Sequence, residues 1–264
     1  MSIGTKEGTE EEIRFVKLLN SDKNHKFWDK MGYSPNRSNL FAIHVRKEKY
    51  GKINERMVKT KADDIICSGE VDSEYLKSNG FYLDEEDISR FGLTPVKKSG
   101  ISVKRKDSYK YQILKMNPST FGKVFGDTEL GAGASIYCIR ESELKKNTSV
   151  LHGWKTDWKK FEEFFSFITG VGQLKDKEAP IEKRLKIAKK IKKWSNEKIH
   201  KAITGNKNIS DFVFRGIGNF NEPYIATWFY EKGDIKKARP IGFVVTTGSG
   251  RSHGDFTVVI KPKS

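Results

Sequence analysis

Two short apolar runs, "LFAIHV" from Leu40 and "IIC" within "KTKADDIICSGEV", are far too short to be membrane spans and are bounded by polar or charged residues. They read as strands, and helical patterns on either side of them leave a sheet with helices against it as the economical way to bury both. "TEEEIRFVKLL" offers Thr9 as a helix cap, Glu12 three residues on, and Ile13, Val16 and Leu19 near helical spacing. "SEYLKSNGFYLDEEDISRFG" gives a helical turn, a break at Gly80 and a second short acidic helix before Gly92. "ISVKRKDSYKYQILKM" predicts a hairpin, one strand from Ile101 to Arg105 and another from Tyr111 to Met116.

Further along, "NPSTFGKVFG" predicts a helix opened by proline, and "GAGASIYCIRESELKK" a glycine-rich start running into a strand. Phe161, Phe164, Phe165 and Ile168 share one helical face. Ile181, Leu185, Ala188, Ile191 and Trp194 share another, and both faces are expected to pack on the core. "DFVFRGIG", "YIATWFYEKG", "PIGFVVTTGSG" and "DFTVVIKP" read as strands. The coarse expectation is an α/β chain whose later part is helical and β-rich.

With 264 residues the chain can bury a sizeable core, and its 50 Lys and Arg against 34 Asp and Glu, a formal net charge of +16, favour a polyanionic partner, nucleic acid foremost. Cys67 and Cys138 form no CxxC pair, which implies neither a disulfide framework nor a thiolate zinc site. The polar, acidic start and the lack of any run near twenty apolar residues lead to the expectation of a cytoplasmic, soluble protein without a membrane partner. The five histidines are scattered, with no HExxH, and "GAGAS" lacks the Lys-Ser/Thr of a P-loop.

Chemistry gathers at the start of the "DDIIC" strand. A carboxylate there, with a lysine on a following strand, supplies the parts for cutting a phosphodiester: a hard oxygen for Mg²⁺ and a cation for the nucleophile or the developing charge. A solvated strand end would look the same. "TKADDII" followed by "GISVKRKDSYKYQILKMNPSTF" resembles the active-site hairpin of type II restriction endonucleases in the PD-(D/E)XK nuclease superfamily. The resemblance covers about residues 46–138, with a weaker echo in "GFVVTTGSGRSHGDF".

That resemblance implies a restriction-endonuclease-like mixed β-sheet core flanked by helices. It implies a single nuclease domain over 1–264, with the catalytic core at about 39–140 and recognition elements at about 150–264. The metal-binding aspartate falls on Asp63, with Asp64 the alternative register, since alternate side chains on a strand face opposite ways. The motif lysine falls on Lys104, 41 positions on, and residues 73–99 would be an insertion between the two strands. Where the family places an acid two residues before the lysine, this chain has Ser102. Several members with a neutral residue there recruit a carboxylate from elsewhere, and Glu70 and Glu55 are the candidates.

The implied activity is Mg²⁺-dependent cleavage of double-stranded DNA at a short specific site by a homodimer on a palindrome, with a cognate methyltransferase as functional partner. For DNA contact the candidates are Arg251 and His253 in "GSGRSHGDF", Lys189 and Lys193 in "EKRLKIAKKIKKW", and Arg46 and Lys47 in "HVRKEKYGK". A flexible turn, a solvated helix face and a basic turn explain the same three stretches without DNA. Two further readings stay open: a repair or recombination nuclease of the same superfamily, and a nucleic-acid-binding protein without catalysis.

Overall fold

The structure is a computed structural model that describes residues 3–45, 52–53, 56–57, 61–104, 111–126, 151–176, 178–218, 220–247 and 257–263. In chain order the elements are α1 (Ile3–Ser21), α2 (Lys26–Met31), α3 (Pro35–Ser38), β1 (Leu40–His44), β2 (Lys52–Ile53), β3 (Arg56–Met57), β4 (Asp64–Ser68), α4 (Ser73–Ser78), α5 (Glu85–Arg90), β5 (Thr94–Pro95), β6 (Ile101–Val103), β7 (Leu114–Met116), α6 (Pro118–Phe125), α7 (Trp158–Phe164), a 3₁₀ turn (Val171–Leu174), α8 (Ile181–Gly205), α9 (Lys207–Arg215), β8 (Trp228–Glu231), β9 (Asp234–Lys237), β10 (Phe243–Thr247) and β11 (Val258–Pro262).

The chain divides into two compact units, Met1–Tyr111 with Phe214–Pro240, and Gln112–Val213 with Ile241–Ser264. These bounds cut across the division at about 39–140 and 150–264 drawn from the sequence. The first unit is built on a mixed six-stranded sheet in the order β1-β4-β6-β8-β9, with β5 also paired to β4. All of its neighbours are antiparallel except β6 and β8, which run parallel with Ser102 opposite Phe229. Among the described residues, then, an α/β architecture with a mixed sheet and helices is present.

Short apolar runs became the neighbouring strands β1, at the end of the sheet order, and β4, inside it, and both are buried. Phe41, Ala42, Ile43, Ile65, Ile66 and Cys67 pack with Phe15, Val16 and Leu19 of α1 and with Phe27, Trp28 and Met31 of α2. Alpha-helix α2 opens where the His25 side chain accepts from the Phe27 amide and stops at Gly32, whose φ of 79° few other residues adopt readily. The acidic run at residues 84–87 closes a reciprocal capping box, Asp84 with Asp87, which fixes the start of α5.

The second unit pairs β10, β11 and β7 in an antiparallel sheet, β11 in the middle. Its interior gathers Phe121, Trp154, Phe161, Phe165, Ile187, Ala188, Ile191, Ile199 and Ile203. The proline-opened helix at "NPSTFGKVF" is α6, capped by Asn117, whose side chain accepts from the Thr120 amide.

Three expectations are corrected. Thr9 lies inside α1 rather than at its cap, because competent helix formers such as Lys6 and Glu7 carry the helix back to Ile3. The hairpin of Ile101–Arg105 with Tyr111–Met116 does not form: β6 lies between β4 and β8, whereas β7 pairs with β11. "DFVFRGIG" enters a helix, because the Asn206 side chain accepts from the amides of Asn208 and Ile209 and starts α9, which buries Val213 and Phe214. The stretch after Gly131 lies outside the described residues.

Candidate active site

Antiparallel pairing of Asp64 with Ile101 sets Asp63 beside Ser102, and the parallel register of β6 and β8 sets Ser102 beside Phe229. Because alternate side chains share a sheet face, Asp63, Ser102, Lys104, Phe229 and Glu231 project to the same side. A continuous polar line results. The Val103 amide donates to Asp63 Oδ2 at 2.9 Å, and the Ser102 hydroxyl donates to the same oxygen at 3.1 Å. Lys104 Nζ donates to Ser102 Oγ at 2.6 Å and stands 3.9 Å from Asp63 Oδ2.

The line continues past the lysine. Lys104 Nζ lies 5.4 Å from the centroid of the Tyr111 ring and 6.0 Å from that of Phe229, within range of a cation–π attraction. Tyr111 in turn donates its hydroxyl to Glu231 Oε1 at 3.2 Å, and Lys236 donates to Glu231 Oε2 at 2.8 Å. Burial raises the Tyr111 hydroxyl's pKa, and the charge of Glu231 with the hydrogen bond to it raises it further. Burial pushes the Glu231 carboxyl upward, but the Lys236 hydrogen bond and charge, the Tyr111 hydrogen bond and the Lys232 charge outweigh it and hold the group below its ordinary range.

Asp63 is 3% exposed and Ser102 1% exposed, so beside the buried carboxylate the charge that reaches solvent is that of Lys104, and the line opens further toward Glu231 and Lys236. In a site so withdrawn from water, each hydrogen bond is electrostatically stronger than at a surface.

Asp64 faces the other way. Its Oδ1 is 3.1 Å from Nδ1 of the buried His44, whose Nε2 is 3.8 Å from Glu12 Oε2 of α1. The sequence's two registers are thus both realised, one carboxylate on each face, and Asp63 is the one beside Lys104. Glu70 is not at this site. It follows the opposite end of β4, accepts from the Asn39 side chain at 3.3 Å, and lines a cleft with Lys23 and Asn36. The length of β4, Asp64–Ser68, separates it from Asp63, at most roughly 23 Å for seven residues at about 3.3 Å each.

Glu55, Arg46, Lys47, Arg251 and His253 lie outside the described residues. Lys189 and Lys193 are exposed on α8, in the second unit. Sequence reasoning missed Glu231, Tyr111 and Phe229. Nothing local marks Phe229 and Glu231, since β6 and β8 are more than a hundred residues apart and their pairing alone brings them to Lys104, whereas Tyr111 is only seven residues on, where the sequence predicts the start of a second hairpin strand.

Among the described residues, no group of three or more His, Cys, Asp or Glu side chains is placed to hold a metal ion, and no helix is long and apolar enough to cross a membrane. Comparison with protein-family models, with curated proteins and with solved structures finds no match to this chain.

Proposed function

We propose that this chain is a Mg²⁺-dependent endodeoxyribonuclease of the type II restriction kind, hydrolysing a phosphodiester at a short specific site in double-stranded DNA. The observation that carries the reading is the meeting of Asp63, Ser102 and Lys104 on adjoining strands, with the lysine ammonium 2.6 Å from the serine and 3.9 Å from the carboxylate. That order of groups is the one the resemblance to PD-(D/E)XK nucleases calls for, with Ser102 in place of the acid.

Asp63 fits a hard cation in kind: it is a carboxylate, and Mg²⁺ is commonly held by one or two carboxylates with substrate phosphate and water completing its shell. Asp63 would hold the ion, with Glu55 the remaining candidate for a second carboxylate. When bound, such an ion offsets phosphate charge and lowers the pKa of a coordinated water. The chain's own groups do the rest. The Val103 amide and the Ser102 hydroxyl fix the Asp63 carboxylate in one rotamer, so no reorganisation is needed when substrate arrives. Lys104, held from below by Ser102 and flanked by the Tyr111 and Phe229 rings, presents its cation to the attacking water or to the charge that builds on the phosphoryl oxygens. Lys189 and Lys193 contact the DNA backbone without reading sequence. Two copies meeting a palindrome about a twofold axis complete the proposal, with a cognate methyltransferase protecting the host's sites.

The test is incubation of the purified protein with unmethylated phage DNA and Mg²⁺, beside Asp63→Ala, Lys104→Ala and an EDTA control, read on a gel. Discrete bands lost in both variants and in EDTA are expected. A smear lost in the same lanes would leave the active site and replace restriction by a structure- or damage-directed nuclease. The burial of Asp63 and Ser102 favours one other reading, a nucleic-acid-binding protein in which the polar line is purely structural. DNA binding in EDTA with intact DNA in every Mg²⁺ lane, methylated or not, would establish it.

A further inference from the structure

Phe167 is a large apolar side chain that the protein leaves 57% exposed. It does not stand alone. Its ring centroid is 5.1 Å from that of Trp194 on α8, and Trp194 also meets Phe164 at 5.7 Å and Phe165 at 5.5 Å, both edge to face. Phe165 is the buried anchor of the group, while Phe164 and Trp194 are half-buried. The periodicity of α7 and α8 assigns Phe164 and Trp194 to the core. In the folded chain the buried face of α8 is instead Ile187, Ala188, Ile191, Ser195, Ile199 and Ile203, which turns Trp194 to the rim.

Cations surround these rings. Lys198 Nζ sits 4.9 Å from the Trp194 centroid and 5.5 Å from that of Phe164. Alpha-helix α8 carries nine lysines and arginines against two glutamates, and Lys190, one turn before Trp194 as Lys198 is one turn after, is exposed on the same side. Phe167 presents its ring to water, and the half-buried Trp194 and Phe164 beside it extend the apolar surface into a small cluster. A partner that is both planar-aromatic and polyanionic satisfies the rings and the lysines at once.

We propose that Phe167 and Trp194, flanked by Lys190 and Lys198, form a stacking platform for unpaired bases of single-stranded DNA. The rings take the face of a base and the lysines take the phosphates on either side of it, the combination that sequence-tolerant single-strand binding uses. An acidic protein surface would satisfy the lysines and leave the rings wet; an anionic bilayer would satisfy both but offers no planar group to stack. The platform lies wholly in the second unit and rests on none of the Asp63 chemistry.

The test is fluorescence anisotropy of labelled oligothymidylate and of a labelled duplex of equal length, titrated with the full chain in EDTA so that no hydrolysis consumes the probe. Phe167→Ala and Trp194→Ala are each expected to weaken single-strand binding about tenfold and to change duplex binding less than about twofold, with Trp194→Phe retaining most of the affinity. Phe167 is mostly exposed, so its truncation leaves the core intact and keeps the test meaningful even if Trp194→Ala misfolds. Unchanged single-strand affinity in Phe167→Ala would overturn the proposal. So would an equal loss on single strand and duplex, which would mean that the helix binds by charge alone, or a dependence on Phe167 seen with phosphatidylserine vesicles and absent with the oligonucleotide.

Discussion

Glu231 stands between two donors, the Tyr111 hydroxyl and the Lys236 ammonium, at the far end of the polar line from Asp63. Since its folded pKa lies below the ordinary glutamate value of about 4.3, its contribution to stability is fully present above that value and is lost as the pH falls through the lower, folded one. Urea denaturation at pH 7 and at about pH 3 should therefore show a larger acid loss in the parent than in Glu231→Gln, whose amide does not titrate; parallel losses would sink the claim. Residues differ in how readily the sequence discloses them. Asp63 and Lys104 could be found because an acid at a strand mouth and a lysine on a strand are local patterns. Glu70 was misplaced because counting along a chain does not say that β4 runs away from the site. Glu231 could not be found at all, since only the β6 to β8 register puts it there.

At the scale of the element, β6 holds the site in place and Gly100 admits it. A side chain at Gly100 would run into the carbonyl oxygens of Ile225 and Pro223, and the Gly100 carbonyl accepts from the amides of both Thr227 and Trp228. Because the obstacles are backbone atoms rather than the ends of flexible side chains, Gly100→Ala should cost about 3 kcal/mol or more in urea melts, the upper range for overpacking. A loss under about 1 kcal/mol would mean that the 222–227 segment can shift without penalty. Elements whose signals are internal, such as β1, β4, α5 and α6, were legible from their apolar runs and caps. The hairpin was not, because two strands adjacent in sequence were claimed by different sheets. Nor was α9, where the alternation in "DFVFR" suits a strand and the Asn206 cap, one turn upstream, decides for a helix.

Over the whole molecule the +16 charge sets the terms on which any polyanion is met. Duplex binding should weaken by at least about tenfold between about 50 and about 200 mM salt if as few as two phosphates are neutralised, and a flat salt profile would exclude the lysine-rich surfaces from the contact. Neither compact unit is a continuous piece of chain: the first closes only with residues 214–240, the second only with residues 241–264. Strand β6, which bears Ser102, is synthesised long before β8, its parallel neighbour. At ribosomal speeds of about 5–20 residues per second, the interval between Ile101 and Trp228 is roughly 6 to 25 seconds. A β6 paired to β4 during that time would have an open edge on its other flank, so the Phe229 and Glu231 end of the line can be completed only late in translation, and the growing chain would carry an exposed strand for chaperones to guard.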